Sequence, residues 1–416
     1  MPFPKSELQK SSDSSSDFSS NDYLGLSRDS KQKELVEQSY NRWSNRGQSK
    51  LGATGSRLLS GDSLLCRELE NWLAIVHNRP AATIFNSGYD ANISILSSLL
   101  LPDDVVLLDE LCHNSLIMGI QMSRGKDYKT FRHNDVGDLR QHLQLTECKG
   151  RVLIVVESVY SMDGDIAPLQ EILNLANEFG SEVIVDEAHG LGSYGRTNTT
   201  NLSLKTTNTP ERSTKISHVF GGTGVLAALE LESHPSLLCS IFTFGKAAGC
   251  HGAVVCGSFT LREYLWNYAR PFVYSTALPT HSLISIQSSY ESMIGASGNF
   301  RRKILFAHVK LFRSTLLQAL PSNSEISLWP SPSPIQALAV PGNDACVDFC
   351  RQLHQSYGIR LFPIRAPTVP IGEERVRIIL HAHNTTEEVL QLTKALVLTL
   401  RGIGLLVCST SSSSKL

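Results

Sequence analysis

Lys246 is a lysine surrounded by small residues. It lies in the segment Thr243–Gly252, directly after a hydrophobic stretch, where glycine and alanine neighbours leave its amino group sterically accessible. Desolvation lowers the pKa of such an amine, and the neutral amine can attack an aldehyde to form a Schiff base. A lysine in a glycine-rich loop can equally be a solvated turn residue, so this motif alone leaves both interpretations open.

An acidic residue ends another hydrophobic stretch. Asp186 follows Val183–Val185, and His189 comes three residues later. An acid at the carboxyl end of a buried strand faces the ligand crevice of an open α/β sheet. There it can keep a pyridine nitrogen protonated, which makes pyridoxal phosphate (PLP) an electron sink, and His189 can reach the phenolic oxygen of the same ring. The same Asp-Glu-Ala-His sequence occurs in helicases, but the phosphate loop that they require is absent from the sequence.

Two further segments could complete such a site. Phe85–Asn92 follows a predicted strand and opens a helix, and backbone N–H groups at a helix N-terminus can bind a phosphate. Asp109–Ser115 places His113 just after another strand, where an imidazole face could stack on a pyridine ring. Taken singly, the first segment also fits a common strand–helix turn, and His113 also fits a structural histidine.

The elements that must position these residues alternate along the chain. Continuous β-branched stretches predict buried strands, and amphipathic segments between them predict helices. Asp135 is a predicted N-cap, and Pro168 stands where the first turn of a helix tolerates proline. This alternation predicts an α/β fold with a mostly parallel sheet and helices on both faces. The predicted strands are 82–85, 105–108, 152–156 and 183–186, and the predicted helices are 63–76, 90–100, 136–145, 169–179 and 301–320.

Composition changes along the chain suggest a domain organisation. We expect an N-terminal arm over residues 1–44, a large domain over 45–290, a small α/β domain over 291–408, and a tail over 409–416. Within the large domain, the Thr/Asn/Ser-rich segment 197–217 interrupts the strand–helix pattern and reads as a surface insertion.

Composition also excludes several classes of protein. The 38 Lys and Arg residues nearly balance the 39 Asp and Glu residues, so we expect no nucleic-acid partner. No apolar run reaches the roughly 20 residues of a membrane-spanning helix, and residues 1–20 lack the apolar core of a secretory signal. The nine cysteines form no Cys-x-x-Cys pair, which suggests a reducing compartment and no structural metal site.

Together and in this order, the motifs resemble those of the α-oxoamine synthases, a family of fold-type I PLP-dependent transferases. The resemblance runs from Asn21 to about Glu388. The segment 364–370 followed by Arg375 and Arg377 is most similar to the biotin-pathway members of that family. The motifs that carry the resemblance are 21–26, 55–61, 87–92, 131–135, 157–164, 186–190, 243–252 and 274–276.

The resemblance implies a large domain with a seven-stranded-type, mostly parallel sheet, a smaller C-terminal domain, and a homodimer. It also implies roles for individual residues. Lys246 would hold PLP and act as acid and base, Asp186 would pair with the ring nitrogen, and His113 would stack on the ring. The other implied cofactor contacts are His189 and Ser161 on the ring substituents, Gly88, Tyr89 and Thr243 on the phosphate, and Thr276 from a partner subunit; the implied substrate contacts are Arg377 and Thr368.

The implied activity is the decarboxylative condensation of L-alanine with pimeloyl-CoA, which releases CoA and CO₂ and gives 8-amino-7-oxononanoate. A related synthase that uses glycine or serine with another acyl-CoA, and a non-catalytic homologue acting as a binding subunit, are the alternatives. Retention of Lys246 argues against the second. The final tripeptide, Ser414–Leu416, is a peroxisomal targeting signal, so we expect a peroxisomal import receptor as a partner and a peroxisomal location, or otherwise a cytoplasmic one.

Overall fold

The predicted strands form, and most extend by one residue beyond the β-branched stretch that predicted them. The computed structural model describes residues 16–45, 50–125, 128–196, 221–321, 326–366 and 368–406. Two sequence predictions, the insertion at 197–217 and the tail at 409–416, lie outside these ranges. Asp135 caps the helix that follows it by accepting the backbone N–H of Asp138, and Pro168 occupies the N-cap position of the next helix.

The elements follow one another along the chain in the alternating order that the sequence predicts. The helices are α1 (Ser30–Ser44), α2 (Leu64–Val76), α3 (Gly88–Leu99), α4 (Asn114–Gln121), α5 (Val136–Leu145), α6 (Leu169–Glu178), α7 (Val225–Ala228), α8 (Phe259–Tyr268), α9 (Arg270–Tyr274), α10 (Thr280–Ile294), α11 (Ala296–Ala319), α12 (Asn343–Tyr357) and α13 (Thr386–Gly402). The strands are β1 (Ala81–Phe85), β2 (Val105–Asp109), β3 (Tyr128–Phe131), β4 (Val152–Glu157), β5 (Glu182–Asp186), β6 (Leu237–Thr243), β7 (Ala253–Gly257), β8 (Ile335–Ala339), β9 (Phe362–Ile364) and β10 (Arg375–Ile379).

The described residues fall into two units. Of the described residues, those between 26 and 159 and between 167 and 300 form the large unit, and those at 16–25, 160–166 and between 301 and 406 form the small unit. These limits differ from the predicted ones. Helix α1 belongs with the large unit because Gln32 donates to Ser288 and accepts from Ser292 on α10. The predicted limit at 290/291 falls inside α10, ten residues before the observed limit at 300/301, which lies inside α11.

A mixed, mostly parallel sheet forms the core of the large unit. Its seven strands run in the order β1-β7-β6-β5-β4-β2-β3. Strands β2 to β6 pair in parallel, and β7 is antiparallel to both of its neighbours. The residues of β1, β2, β5 and β7 are almost all buried, which agrees with their continuous apolar sequences. Parallel order brings the carboxyl ends of β2, β4, β5 and β6 to one edge of the sheet.

Strand β6 is intact despite the long segment that precedes it. It pairs with β5 on one side and with β7 on the other. The chain on the two sides of the insertion is also joined, because Gly192 N–H donates to the Gly222 carbonyl and Gly224 N–H donates to the Tyr194 carbonyl, each at 2.8 Å. The strand that leads to Thr243 is therefore undisturbed.

The small unit is built on an antiparallel three-stranded sheet in the order β8-β10-β9. The N-terminal segment joins its central strand: Ile379 N–H donates to the Phe18 carbonyl, and Ala382 N–H donates to the Tyr23 carbonyl. Phe18 and Tyr23 are fully buried. None of the helices within the described ranges has both the length and the apolar character of a membrane span.

Candidate active site

A cavity of about 290 Å³ opens at the carboxyl edge of the large sheet. Its walls come from the turns that follow β1, β2, β4, β5 and β6, which is where an open α/β sheet binds its ligands. The lining residues are Ser87, Gly88, Tyr89, Asn92, His113, Ser115, Glu157, Asp186, Ala188, His189, Thr243, Gly245, Lys246, His251 and Gly252.

Lys246 lies in a tight turn between the antiparallel strands β6 and β7. The turn is closed by a hydrogen bond from Phe244 N–H to the Gly252 carbonyl and by one from Gly249 N–H to the Lys246 carbonyl. Gly249 adopts φ +62°, a conformation that favours glycine. Lys246 Nζ is 2.8 Å from Nε2 of His189. The two side chains are thus joined by a direct hydrogen bond.

Asp186 ends β5 with a side chain that is only 5% exposed. One carboxylate oxygen accepts Nδ2 of Asn92 and the other accepts the backbone N–H of Ala188, each at 2.8 Å. Both donors are neutral, so neither cancels the charge of the carboxylate. Asp186 can therefore offer a negative charge to a cationic group in the cavity.

His113 is the N-cap residue of α4. Its backbone N–H donates to Oε1 of Glu157 at 2.5 Å. Burial lowers the pKa of His113; the charge of Asp186 opposes this shift and that of Lys246 adds to it. Burial, together with the negative charge of Asp186, holds the pKa of Glu157 well above its usual range. The cavity thus contains two neighbouring acids, of which Asp186 is the one held by two neutral donors.

The start of α3 forms a close-fitting backbone cradle. A Cβ atom on Gly88 would lie 2.1 Å from Oγ1 of Thr243, so only glycine lets this helix N-terminus approach β6 so closely. The first N–H groups of the helix and the Thr243 hydroxyl then line the same wall of the cavity. Such a cradle suits a phosphate. With the lysine, the acid and the imidazole, it provides a donor set that fits PLP.

Seven of the predicted site residues line this one cavity: Gly88, Tyr89, His113, Asp186, His189, Thr243 and Lys246. Thr276 belongs to the same unit but does not line the cavity, and its side chain is exposed. Its carbonyl accepts Nδ2 of Asn86. The role predicted for Thr276 requires a partner subunit and stays a prediction.

The remaining predicted residues, Ser161, Thr368 and Arg377, belong to the small unit. Arg377 is held by neutral oxygens: its Nε donates to the Ser161 carbonyl at 2.6 Å, and its Nη2 donates to Oδ1 of Asn21 at 3.0 Å. It also hydrogen-bonds Tyr23, which lowers the pKa of that phenol against the larger opposing effect of burial. Thr368 is exposed, and its N–H donates to the Arg365 carbonyl.

Sequence reasoning assigned no role to four other cavity residues: Asn92, Ser115, Glu157 and His251. Asn92, Glu157 and His251 stand within the motifs that carried the family resemblance, and Ser115 ends the segment Asp109–Ser115. Glu157 also carries a second signal, because it ends a buried strand in the same way as Asp186. Their roles depend on which strands are neighbours, which motif order alone does not give.

The chain matches the model of the family "Aminotransferase class I and II" over residues 15–396. It is 36% identical over 395 residues to an 8-amino-7-oxononanoate synthase of Emericella nidulans, an alignment that covers 90% of this chain and 87% of that protein. A Sphingomonas wittichii serine palmitoyltransferase structure superposes with a TM-score of 0.80 at 25% identity, covering 94% of this chain and 88% of that one.

An 8-amino-7-oxononanoate synthase structure from Francisella tularensis shares the fold as well. Its TM-score is 0.72 at 24% identity, with 94% of this chain and 99% of that chain covered. The fold-type I architecture predicted from the motifs is thus confirmed, and the cofactor expected for the cavity is that of the family. This chain belongs to the aminotransferase class I and II family, as a PLP-dependent acyltransferase of the α-oxoamine synthase type.

Proposed function

We propose that this enzyme condenses L-alanine with pimeloyl-CoA, releases CoA and CO₂, and forms 8-amino-7-oxononanoate for biotin biosynthesis. The class of reaction follows from the family. The substrates are supported by the name of the Emericella nidulans relative and by the motifs shared with biotin-pathway members. The observation that carries the proposal is Arg377, a guanidinium with neutral hydrogen-bond partners that suits the carboxylate of an amino acid.

The protein's own groups divide the work. PLP, when bound, supplies an electron sink that stabilises negative charge at the amino-acid Cα. Lys246 holds the cofactor and moves the proton at Cα, and Asp186 keeps the ring nitrogen protonated. His113 covers the ring face, and Gly88, Tyr89 and Thr243 hold the phosphate. Arg377 orients the amino-acid carboxylate, and Ser161, His189 and Thr368 serve as further contacts to cofactor and substrate.

Substrate pairing tests this proposal. Purified holoenzyme is given L-alanine, glycine or L-serine with either pimeloyl-CoA or palmitoyl-CoA, and CoA and CO₂ release are measured, with Lys246→Ala as the control. We expect equal release of both products, fastest with L-alanine and pimeloyl-CoA. Faster turnover with glycine or serine would leave the class intact and change the substrate. Release no greater than that of Lys246→Ala with every pair would favour the non-catalytic alternative.

We further propose that the enzyme is a homodimer. The segment around residues 51–64 exposes several leucines, with Leu51 79% and Leu59 82% exposed. Tyr274, which is 81% exposed, is brought beside this segment because Ala277 N–H donates to the Gly55 carbonyl. Exposed apolar side chains of this kind suit a second copy of the chain, and Thr276 lies two residues from Tyr274. Light scattering of the holoenzyme should give twice the 45.7 kDa chain mass.

Finally, we propose that the C-terminal tripeptide Ser414–Leu416 directs the enzyme to peroxisomes, where acyl-CoA shortening takes place. A fluorescent reporter that ends in residues 409–416 should enter peroxisomes. The same reporter without the final leucine should remain cytosolic. A cytosolic distribution of both reporters would contradict the proposal.

A further inference from the structure

A chain of hydrogen bonds joins Asp186 to His113 along the cavity wall. Nδ2 of Asn92 donates to Oδ2 of Asp186 at 2.8 Å and lies 2.9 Å from Oγ of Ser115. Oγ of Ser115 is in turn 2.7 Å from Nδ1 of His113. Asn92 is 2% exposed and Ser115 is fully buried. Neither residue has a role in the chemistry derived so far.

The direction of each hydrogen bond follows from the chemistry of the groups. An ionised carboxylate only accepts, so the amide of Asn92 must turn its NH₂ group toward Asp186. The same NH₂ group donates to the Ser115 oxygen, which leaves the hydroxyl proton of Ser115 directed at Nδ1 of His113. The backbone N–H of Ser115 also donates to Nδ1, at 3.2 Å. Nδ1 of His113 therefore accepts from two donors and has no place for a proton of its own.

This orientation of the Asn92 amide has an unfavourable free-energy contribution that an apolar side chain would not have. Oδ1 of Asn92 is buried and has no hydrogen-bond partner among the described residues. A buried carbonyl oxygen without a donor is unfavourable, and a small apolar residue at this position would remove that cost. The two hydrogen bonds that the amide donates, to Asp186 and to Ser115, are what an apolar residue at this position would lose.

We propose that Asn92 and Ser115 are positioning residues that hold His113 as a neutral imidazole with its proton on Nε2, and that tie its orientation to Asp186. Among the described residues, the charged and titratable groups that face His113 are Asp186, Lys246, Glu157 and Tyr89. The lowered pKa of His113 agrees with a neutral ring. The inference rests on the cavity of the proposed function but not on the identity of either substrate.

The fixed tautomer limits what His113 can do. Its Nδ1 is occupied from behind by Ser115, so His113 can offer the cavity one N–H donor, at Nε2, and no acceptor. An imidazole that exchanged between its two tautomers could present either a donor or an acceptor to the cavity. The Asn92–Ser115 pair thus decides which kind of substrate oxygen or nitrogen the imidazole can face.

Nitrogen NMR tests the tautomer without any turnover. Holoenzyme labelled with ¹⁵N in its histidine rings is recorded between about pH 6 and 8, with His113→Gln used to assign the signals. We expect a proton-bearing Nε2 and a proton-free Nδ1 throughout this range. A protonated Nδ1, or averaged signals from two tautomers, in the unmodified enzyme would overturn the inference. Because no substrate is present, this result does not depend on the reaction proposed above.

Variants show whether the two positioning residues cause the effect. Ser115→Ala removes the hydroxyl donor with minimal change in volume, and we expect averaged His113 signals and a loss in kcat/KM of about 3- to 10-fold, typical of one hydrogen bond. Asn92→Ala should give the same averaged signals. Ser94→Ala is the matched control, because Ser94 is a buried serine on α3 whose Oγ has no partner in the described part of the chain. Unchanged His113 signals in folded Ser115→Ala would refute the proposed role.

Discussion

Each of the two units contains a pair of like-charged residues close in sequence that are held in opposite ways. In the large unit, Asp186 lines the cavity, whereas the next residue, Glu187, is fully buried outside it. Glu187 accepts the Ser158 hydroxyl and the backbone N–H groups of Val225 and Leu226, so both of its oxygens are used in tying β4, β5 and α7 together. The first acid serves a ligand and the second serves the fold.

The small unit repeats this division with arginines. Arg375 is ion-paired with Asp163 and Glu373, and its guanidinium lies 3.8 Å from the ring centroid of Trp329. Arg377, two residues later on β10, is held by neutral oxygens alone among its described hydrogen bonds. The acids differ in location, since only Asp186 lines the cavity, and the arginines differ in charge compensation. An arginine whose charge is compensated inside the protein stabilises its structure, whereas one held by neutral oxygens is available to a ligand.

The largest effect that we expect is a difference in kcat between variants of Asp186 and of Glu187. Asp186→Asn should lower kcat by about 10³-fold, because it removes the charge that keeps the cofactor ring nitrogen protonated, a loss on the scale of breaking a buried ion pair. Glu187→Gln should lower kcat by less than about 10-fold, because its main effect is the loss of one hydrogen-bond acceptor rather than the loss of a charge. Turnover is measured as CoA release at saturating substrates. Equal losses of kcat in both variants would contradict the different roles assigned to Asp186 and Glu187.

The two arginines should differ in which quantity changes. Arg377→Lys should raise KM for the amino acid by about 10- to 100-fold, because lysine cannot bind a carboxylate through two parallel N–H bonds. Arg375→Lys should leave KM within about threefold and should instead lower stability by up to about 3 kcal/mol. Steady-state kinetics and urea unfolding of both variants make the test. A raised KM in the Arg375 variant would show that both Arg375 and Arg377 contribute to binding the substrate.

The smallest effect concerns pH and stability. Burial raises the pKa of Glu187 to about 7, against about 4.3 in an unfolded chain. The folded state therefore binds this proton more tightly, and stability falls as pH rises from about 4.3 to 7, by at most on the order of 3 kcal/mol. In Glu187→Gln this contribution is absent, so the melting temperature should depend less steeply on pH between 5 and 7. Parallel curves for the variant and the unmodified enzyme would contradict the shifted pKa.

The sequence predicts the frame of the site well. Buried parallel strands such as β4 can be recognised in the sequence. Residues 152–156 are five consecutive apolar residues, so neither face of the strand is suited to contact with water. The residues that follow such strands gather at one edge of the sheet, which is why Lys246, Asp186 and His113 could be named in advance. The family motifs then assign them roles.

The hydrogen bonds that support the site are not predictable in the same way. The contact of Asn92 with Asp186 joins residues 94 positions apart and requires the first turns of α3 to lie beside the carboxyl end of β5. That arrangement depends on the strand order, with β1 separated from β2 by four other strands, which an alternating pattern does not specify. The domain limits fail for a similar reason, because α1 joins the large unit through the polar contacts of Gln32.

The pairing of the N-terminal segment with β10 has a consequence for synthesis. Phe18 leaves the ribosome early, but Ile379, whose N–H it accepts, is made about 360 residues later. At roughly 5–20 residues per second, the apolar side chains of this segment wait tens of seconds for their strand. The delay is shorter in the large unit, where β1 waits about 170 residues for its partner β7. During translation the unfinished small unit is therefore the part of the chain that depends most on protection from aggregation and proteolysis.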